Sequence, residues 1–154
     1  NVLLFGASGV GKTHLACGIG YALLAQGVRV KFTSATHLAQ SLQQAKAALV
    51  LTDVLARMDK YTVLIIDDIG YVKKSSQETQ VLFELIAHRY ETGSLIITSN
   101  QPFSGWDQIF DDNMMTVAAI DRLVHHATIL EIGGESYRKK ASMMRKEMPI
   151  ANDN

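Results

Sequence analysis

The sequence predicts an α/β fold with a parallel sheet, and three observations predict it. Short apolar, β-branched runs alternate with longer helical stretches along the 154 residues, the order that layered α/β domains require. Val63–Ile66 is apolar at every position and Leu95–Thr98 nearly so, as strands covered on both faces must be. A glycine-rich turn, Gly6 to Gly11, separates the first apolar run from the first helical stretch. With 47% hydrophobic and 19% charged residues, the chain is neither disordered nor fibrous, and its length suits one domain. No apolar run approaches the ~20 residues of a membrane helix. Cys17 is the only cysteine, so no internal disulfide is possible and a reducing, cytoplasmic setting is expected.

Each element has its own signal. Val2–Phe5 reads as the first strand. Lys12–Gln26 is helical and stopped by Gly27, a natural helix-ending glycine. Val28–Phe32 follows as a strand. Leu38–Leu51 and Asp53–Lys60 carry helical patterns, with Thr52 as the cap of the second. After the strand Val63–Ile66, the stretch Gln77–Glu91 is helical, with Val81, Leu82, Leu85, Ile86 and Arg89 on one face. Leu95–Thr98 is the next strand and leads into an irregular segment around Pro102 and Trp106. Met114–His126 reads as a helix, Thr128–Ile132 as a fifth strand and Tyr137–Glu147 as a closing helix.

The strongest motif is Gly6-Ala7-Ser8-Gly9-Val10-Gly11-Lys12-Thr13, a full phosphate loop between a strand and a helix. Glycines let successive N–H groups curl around a phosphate, and the helix N-terminus adds a partial positive charge. Gly6, Ser8, Gly9, Val10, Gly11, Lys12, Thr13 and His14 are therefore the expected ATP/ADP contacts. Lys12 is expected to reach the outer phosphates, and Thr13 to offer its hydroxyl to Mg²⁺. The run Val63-Leu64-Ile65-Ile66 ends in Asp67 and Asp68. Asp67 at the strand's end is placed to meet that Mg²⁺, and Asp68 to orient or deprotonate an attacking water. Asn100, at the tip of Leu95–Ser99, is the third polar tip and is expected to hold that water or touch the γ-phosphate. The fold class is thus a P-loop NTPase of three α/β/α layers.

The segments GASGVGKTHLA, VLIIDDIGY, LFELIAHRYE, IITSNQPF, AIDRLVHHA and GESYR resemble, in this order, the IstB-like transposition helper ATPases. These are AAA+ proteins related to the helicase loader DnaC and the initiator DnaA. The resemblance implies a five-stranded parallel sheet in the AAA+ order, with ATP between neighbouring subunits of an oligomer. It implies Asp67 as the Walker B metal partner and Asn100 as sensor 1. Asp68 stands where many AAA+ proteins carry Glu, and the shorter carboxylate implies slow, DNA- or assembly-stimulated hydrolysis. Arg122 matches the arginine finger acting in trans, and Arg138 in Gly134–Arg138 a sensor-2-like nucleotide contact or a phosphate-backbone or structural residue. Only 16 residues follow Arg138, too few for a helical lid. The family's amino-terminal helical domain is missing, so residues 1–154 read as an AAA+ core taken from a longer bacterial protein.

The remaining features carry both plain and functional readings. Residues 1–137 hold 10 basic and 13 acidic side chains, whereas residues 138–154 hold five basic and two acidic ones. That basic tail is a solvated helix end or a phosphate-contacting patch. Arg89 is a dipole-serving helix end or a buried or intersubunit residue. Lys73 and Lys74 read as an exposed turn or as basic residues presented to nucleic acid. Phe103, Trp106 and Phe110 pack an irregular loop onto the core, or stack on bases. Cys17 is expected to be a small buried residue. His14, His125 and His126 lack a zinc-like ligand spacing in the sequence. The expectation is an ATP-hydrolysing protein that oligomerises on duplex DNA and serves a transposase, with no membrane role. Its alternative is a helicase loader on single-stranded DNA, serving a replicative helicase. A small-molecule kinase is disfavoured because no lid-like insertion lies between Asp68 and Asn100.

Overall fold

The computed structural model describes residues 1–140 and 142. Its strands are β1 (Val2–Phe5), β2 (Val30–Ser34), β3 (Val63–Asp67), β4 (Ser94–Ser99) and β5 (Thr128–Glu131), and its helices α1 (Lys12–Ala25), α2 (Ala35–Ala47), α3 (Leu51–Met58), α4 (Ser76–Arg89) and α5 (Asn113–Val124). The five strands form one sheet in the order β2-β3-β4-β1-β5, and every neighbouring pair is parallel. The chain therefore crosses over between strands, and the carboxyl ends of all five share one edge of the sheet. Open α/β sheets bind ligands at that edge.

The period-two alternation of strand side chains divides the core between the faces. Leu4, Ile65 and Ile96 point toward α1 with Ala16 and Ile19. Leu3, Leu64, Ile66 and Ile97 point the other way, into the larger cluster built with α2, α4 and α5. One helix thus covers one face, and four cover the other. Along α1 the inward line is Lys12, Ala16 and Gly20. Cys17, expected to be buried, is exposed, because one residue turns the helix by about 100° off that line. The edge strand β5 is exposed along its whole length.

Helix boundaries follow local chemistry. Gly27, at φ +80°, ends α1 where the sequence places the stop, and Val28 N–H donates back to Leu23 O at 3.0 Å. The α2–α3 junction differs from expectation. Ser34 caps α2 by accepting from His37 N–H, so the helix begins at Ala35, three residues before the predicted start. The helix closes at Ala48, with Leu49 left-handed at φ 59° and Val50 N–H bonded to Ala45 O at 2.9 Å. This is the helix-ending geometry usually served by glycine, here carried by leucine. Consequently α3 starts at Leu51 with no side-chain cap, and Thr52 lies inside it. Ser75 and Glu78 form a reciprocal capping box on α4, and Asp112 caps α5 through Met115 N–H at 2.8 Å.

Three further placements bear on the expectations. Trp106 is fully buried in the 3-10 turn Phe103–Gln108, where its ring meets Phe5, Phe103 and Phe110 edge-on. Those aromatics pack the loop onto the core. Lys74 is not in an exposed turn: it is 2% exposed, with its ammonium donating to Val72 O at 2.9 Å. Lys73 stays exposed, 4.0 Å from Asp111. Arg89 is also 2% exposed, and donates to Tyr61 O at 2.9 Å and Thr62 O at 3.1 Å. It staples the entrances of β3 and β4. No helix among the described residues is long and apolar enough to cross a membrane.

Candidate nucleotide site

The site grows out of the β1–α1 turn. Gly11 is the N-cap of α1 with φ 100° and no side-chain cap, so the first N–H groups of the helix remain available to an anion. Gly9, at φ +88°, packs so closely that a Cβ there would meet Ser136 Oγ at 2.1 Å. A larger residue at either position would face a strained backbone, and at position 9 also a collision. Gly6 serves differently, its carbonyl accepting from Lys12 Nζ at 2.8 Å, with Ala7 O accepting at 2.9 Å. Lys12 therefore lies folded over the loop, 5% exposed. Desolvation lowers its pKa, opposed by Asp68 and then Asp67, with Arg138 lowering it further. A buried ammonium short of counter-charge favours an incoming phosphate.

Across the cleft, β3 and β4 deliver the acidic and polar tips. Thr13 Oγ1 donates to the Asp67 carboxylate at 3.0 and 3.1 Å. A hydroxyl and a carboxylate from different elements thus converge, and both are hard oxygen donors of the kind Mg²⁺ takes. The second partner of Asp67 is Thr98, whose hydroxyl donates to Oδ1 at 2.6 Å. The same Thr98 oxygen accepts from Asp68 N–H at 2.8 Å, and Ile69 N–H donates to Thr98 O at 3.0 Å. Held this way, Asp68 adopts a left-handed φ of 57° and stays exposed. Thr98 was not singled out in the sequence, where it reads only as a β-former in a buried strand.

Asn100 brings its side chain to the same cleft, and its Oδ1 is buried without a hydrogen-bond partner among the described residues. An orphaned buried acceptor calls for a missing donor, such as a water. The cleft measures about 700 Å³ and is lined by Ser8 to His14 together with Asp68, Tyr71, Asn100 and Arg138. That volume suits a nucleotide-sized ligand. Tyr137 N–H donates to Gly9 O at 3.0 Å, so the segment carrying Arg138 is fastened directly to the phosphate loop. Of the basic tail, Arg138, Lys139 and Lys140 are described, and the positions of Arg145 and Lys146 lie outside the described residues.

Arg122 is elsewhere. Its guanidinium donates to Ala118 O at 3.0 Å and lies 5.2 Å over the Phe83 ring, without the Asp121 pairing that its sequence neighbours suggest. It lines a groove with Asn1, Thr62 and Leu95, at the strand entrances. Strands of this length place that edge roughly 13–20 Å from the cleft, so Arg122 cannot reach the phosphate loop of the same chain.

The family described as "IstB-like ATP binding protein" matches residues 1–145. An insertion-sequence ATP-binding protein of Sinorhizobium fredii is 54% identical over 146 residues, covering 95% of this chain and 49% of the relative. The IS21 ATP-binding protein of Pseudomonas aeruginosa is 41% identical over 158 residues, covering 99% and 60%. The chain thus spans about half to three-fifths of the length of these relatives. Among solved structures, AMPPCP-bound DnaA from Aquifex aeolicus aligns at a TM-score of 0.71 with 18% identity, covering 99% of this chain and 47% of that one. The DnaC helicase loader aligns at 0.69 with 24% identity, covering 86% and 77%. At such identities the likeness is one of fold.

Proposed function

This chain belongs to the IstB-like ATP-binding family and has the AAA+ fold, and we propose that it is a Mg²⁺-dependent ATPase that assembles on duplex DNA to assist a transposase. The observation that carries the ATPase reading is the Thr13–Asp67 contact across the mouth of the phosphate loop. It joins the two oxygen donors a phosphate-bound Mg²⁺ needs. Mg²⁺ would be held by Thr13 and Asp67, and when bound it neutralises charge developing on the phosphates.

The chain's own groups supply the rest. Loop N–H groups and Lys12 bind and orient the phosphates. Asp68 projects beyond the strand end and takes the proton of an attacking water. Asn100, whose side chain lines the cleft, holds that water in place. Arg138 adds a positive charge at the cleft rim. Arg122 serves the cleft of a neighbouring subunit, which makes turnover depend on assembly. The transposase partnership rests on the insertion-sequence names carried by the relatives.

The test is the light-scattering mass of the protein with ATP and Mg²⁺, with duplex or single-stranded DNA, followed through a salt titration. A large ATP-dependent assembly on duplex supports the reading. Assembly on single strands alone identifies a loader-like protein instead. A monomer indifferent to both overturns the DNA-handling role.

A further inference from the structure

At the far edge of the sheet from the nucleotide cleft, we propose a second cation site, formed by Glu91, His125 and His126 and selective for a borderline first-row divalent ion, Zn²⁺ foremost. His125 is the C-cap of α5 and His126 follows it, and Glu91 lies in the turn between α4 and β4. One ligand atom from each lies within 4.8 Å of the others, and no other such trio occurs among the described residues. Tetrahedral Zn²⁺ holds N and O ligands at about 2.0–2.2 Å, so side-chain rotation of about an ångström closes the set. The sequence spacing hides this trio, because Glu91 is remote from the two histidines until the fold joins them.

The surroundings favour a built site. Glu91 is one of three non-glycine residues with positive φ among the described residues, at 60°, a conformation that is costly for a residue bearing a Cβ. The two imidazoles lie side by side with ring centroids 4.0 Å apart. Tyr90 stacks on His125, and its hydroxyl lies 2.7 Å from His125 Nδ1. A ligating imidazole normally donates its second nitrogen to such an outer partner. The phenol thus fixes the orientation of the His125 ring.

The donor chemistry decides the ion. Two imidazoles and one carboxylate suit Zn²⁺, Ni²⁺ or Cu²⁺ and disfavour Mg²⁺, the reverse of the all-oxygen Thr13–Asp67 pair. All three residues are exposed, so an ion enters freely, and the fourth position falls to water. Bound there, it clips the end of α5 to the α4–β4 turn, beside the groove that holds Arg122.

The experiment is calorimetric titration of tag-free protein with ZnCl₂ and with MgCl₂, without nucleotide. One Zn²⁺ per chain is expected, with Mg²⁺ giving no heat that depends on these residues. Glu91→Gln, and the double change His125→Ala with His126→Ala, should each weaken Zn²⁺ binding at least ~10-fold. Asp67→Asn should leave it unchanged, which separates this site from the nucleotide cleft. The wild type and Asp67→Asn should gain melting temperature on adding Zn²⁺, and the Glu91 and double-histidine variants should gain less or none. No binding, or binding that survives the double histidine change, overturns the site. Binding undiminished by Glu91→Gln overturns the three-ligand set.

Discussion

Thr98 governs both carboxylates of the nucleotide site through one hydroxyl. It donates to Asp67 at 2.6 Å and accepts from Asp68 N–H at 2.8 Å, while being fully buried itself. Valine has nearly the same shape and neither hydrogen bond, so Thr98→Val leaves Asp67 Oδ1 with Thr13 as its one remaining donor and the Asp68 N–H unpaired. ATP turnover should fall by about 10–100-fold, with a raised Mg²⁺ requirement, because a displaced catalytic group loses at least that much. Nucleotide binding should change little, since the phosphate loop is untouched. Thr98→Ser keeps the hydroxyl and should retain most of the rate. Steady-state turnover as a function of Mg²⁺ reads all three; a fully active Thr98→Val variant would sink the role. Lys12, Thr13, Asp67 and Asp68 are legible in the sequence because their spacing and their strand–turn–helix setting are rarely met by chance. Thr98 is illegible because a threonine in a β-branched run is ordinary, and only the fold places its hydroxyl between two acids.

At the scale of elements, two buried cations do opposite work. Arg89 ends α4 and donates to carbonyls at the entrances of β3 and β4, and burial lowers its pKa, opposed by Asp59. The planar fork reaches several carbonyls at once, which an ammonium cannot. Arg89→Lys should therefore cost about 2–4 kcal/mol in denaturant unfolding, the scale of carbonyls left unpaired and a charge poorly solvated. Lys74 has one carbonyl acceptor for a nearly buried ammonium, and desolvation lowers its pKa, opposed by Glu78. Lys74→Met keeps the volume and removes the charge, so it should stabilise the protein by about 1 kcal/mol. The sign with pH follows. The lysine pKa is lower in the folded state than its ordinary value of 10.5, so the penalty is complete below the folded pKa. It disappears as pH rises toward 10.5, and there the variant's advantage over the wild type should vanish. Melting curves across that range check it. Strands β3 and β4 were readable from their unbroken apolar runs. The α2–α3 break was not, since Leu49 occupies a left-handed position where glycine is the usual sign.

For the whole molecule, the decisive fact is that the cleft and Arg122 lie at opposite edges of one sheet. The carboxyl ends of the strands carry Asp67, Asp68 and Asn100, and the entrances carry the groove of Arg122. If Arg122 acts on ATP at all, it acts on a neighbour's, through a head-to-tail contact of the kind that forms rings or filaments. Two inactive variants should then complement. Asp68→Asn supplies an intact Arg122 beside a dead cleft, and Arg122→Ala supplies an intact cleft beside a missing finger. In an equimolar mixture with random assembly, roughly a quarter of the interfaces join an intact cleft to an intact finger. Turnover of the mixture on DNA should recover toward that fraction of the wild-type rate, while each variant alone stays near background. An Arg122 working within its own subunit predicts no recovery at any mixing ratio. Because Asp68 is exposed and the Arg122 side chain gives up only its contact with the Phe83 ring and a hydrogen bond within its own helix, the mixed assemblies should form with the mass of the wild type. Light scattering on the same samples thus separates a failure of the finger from a failure to assemble.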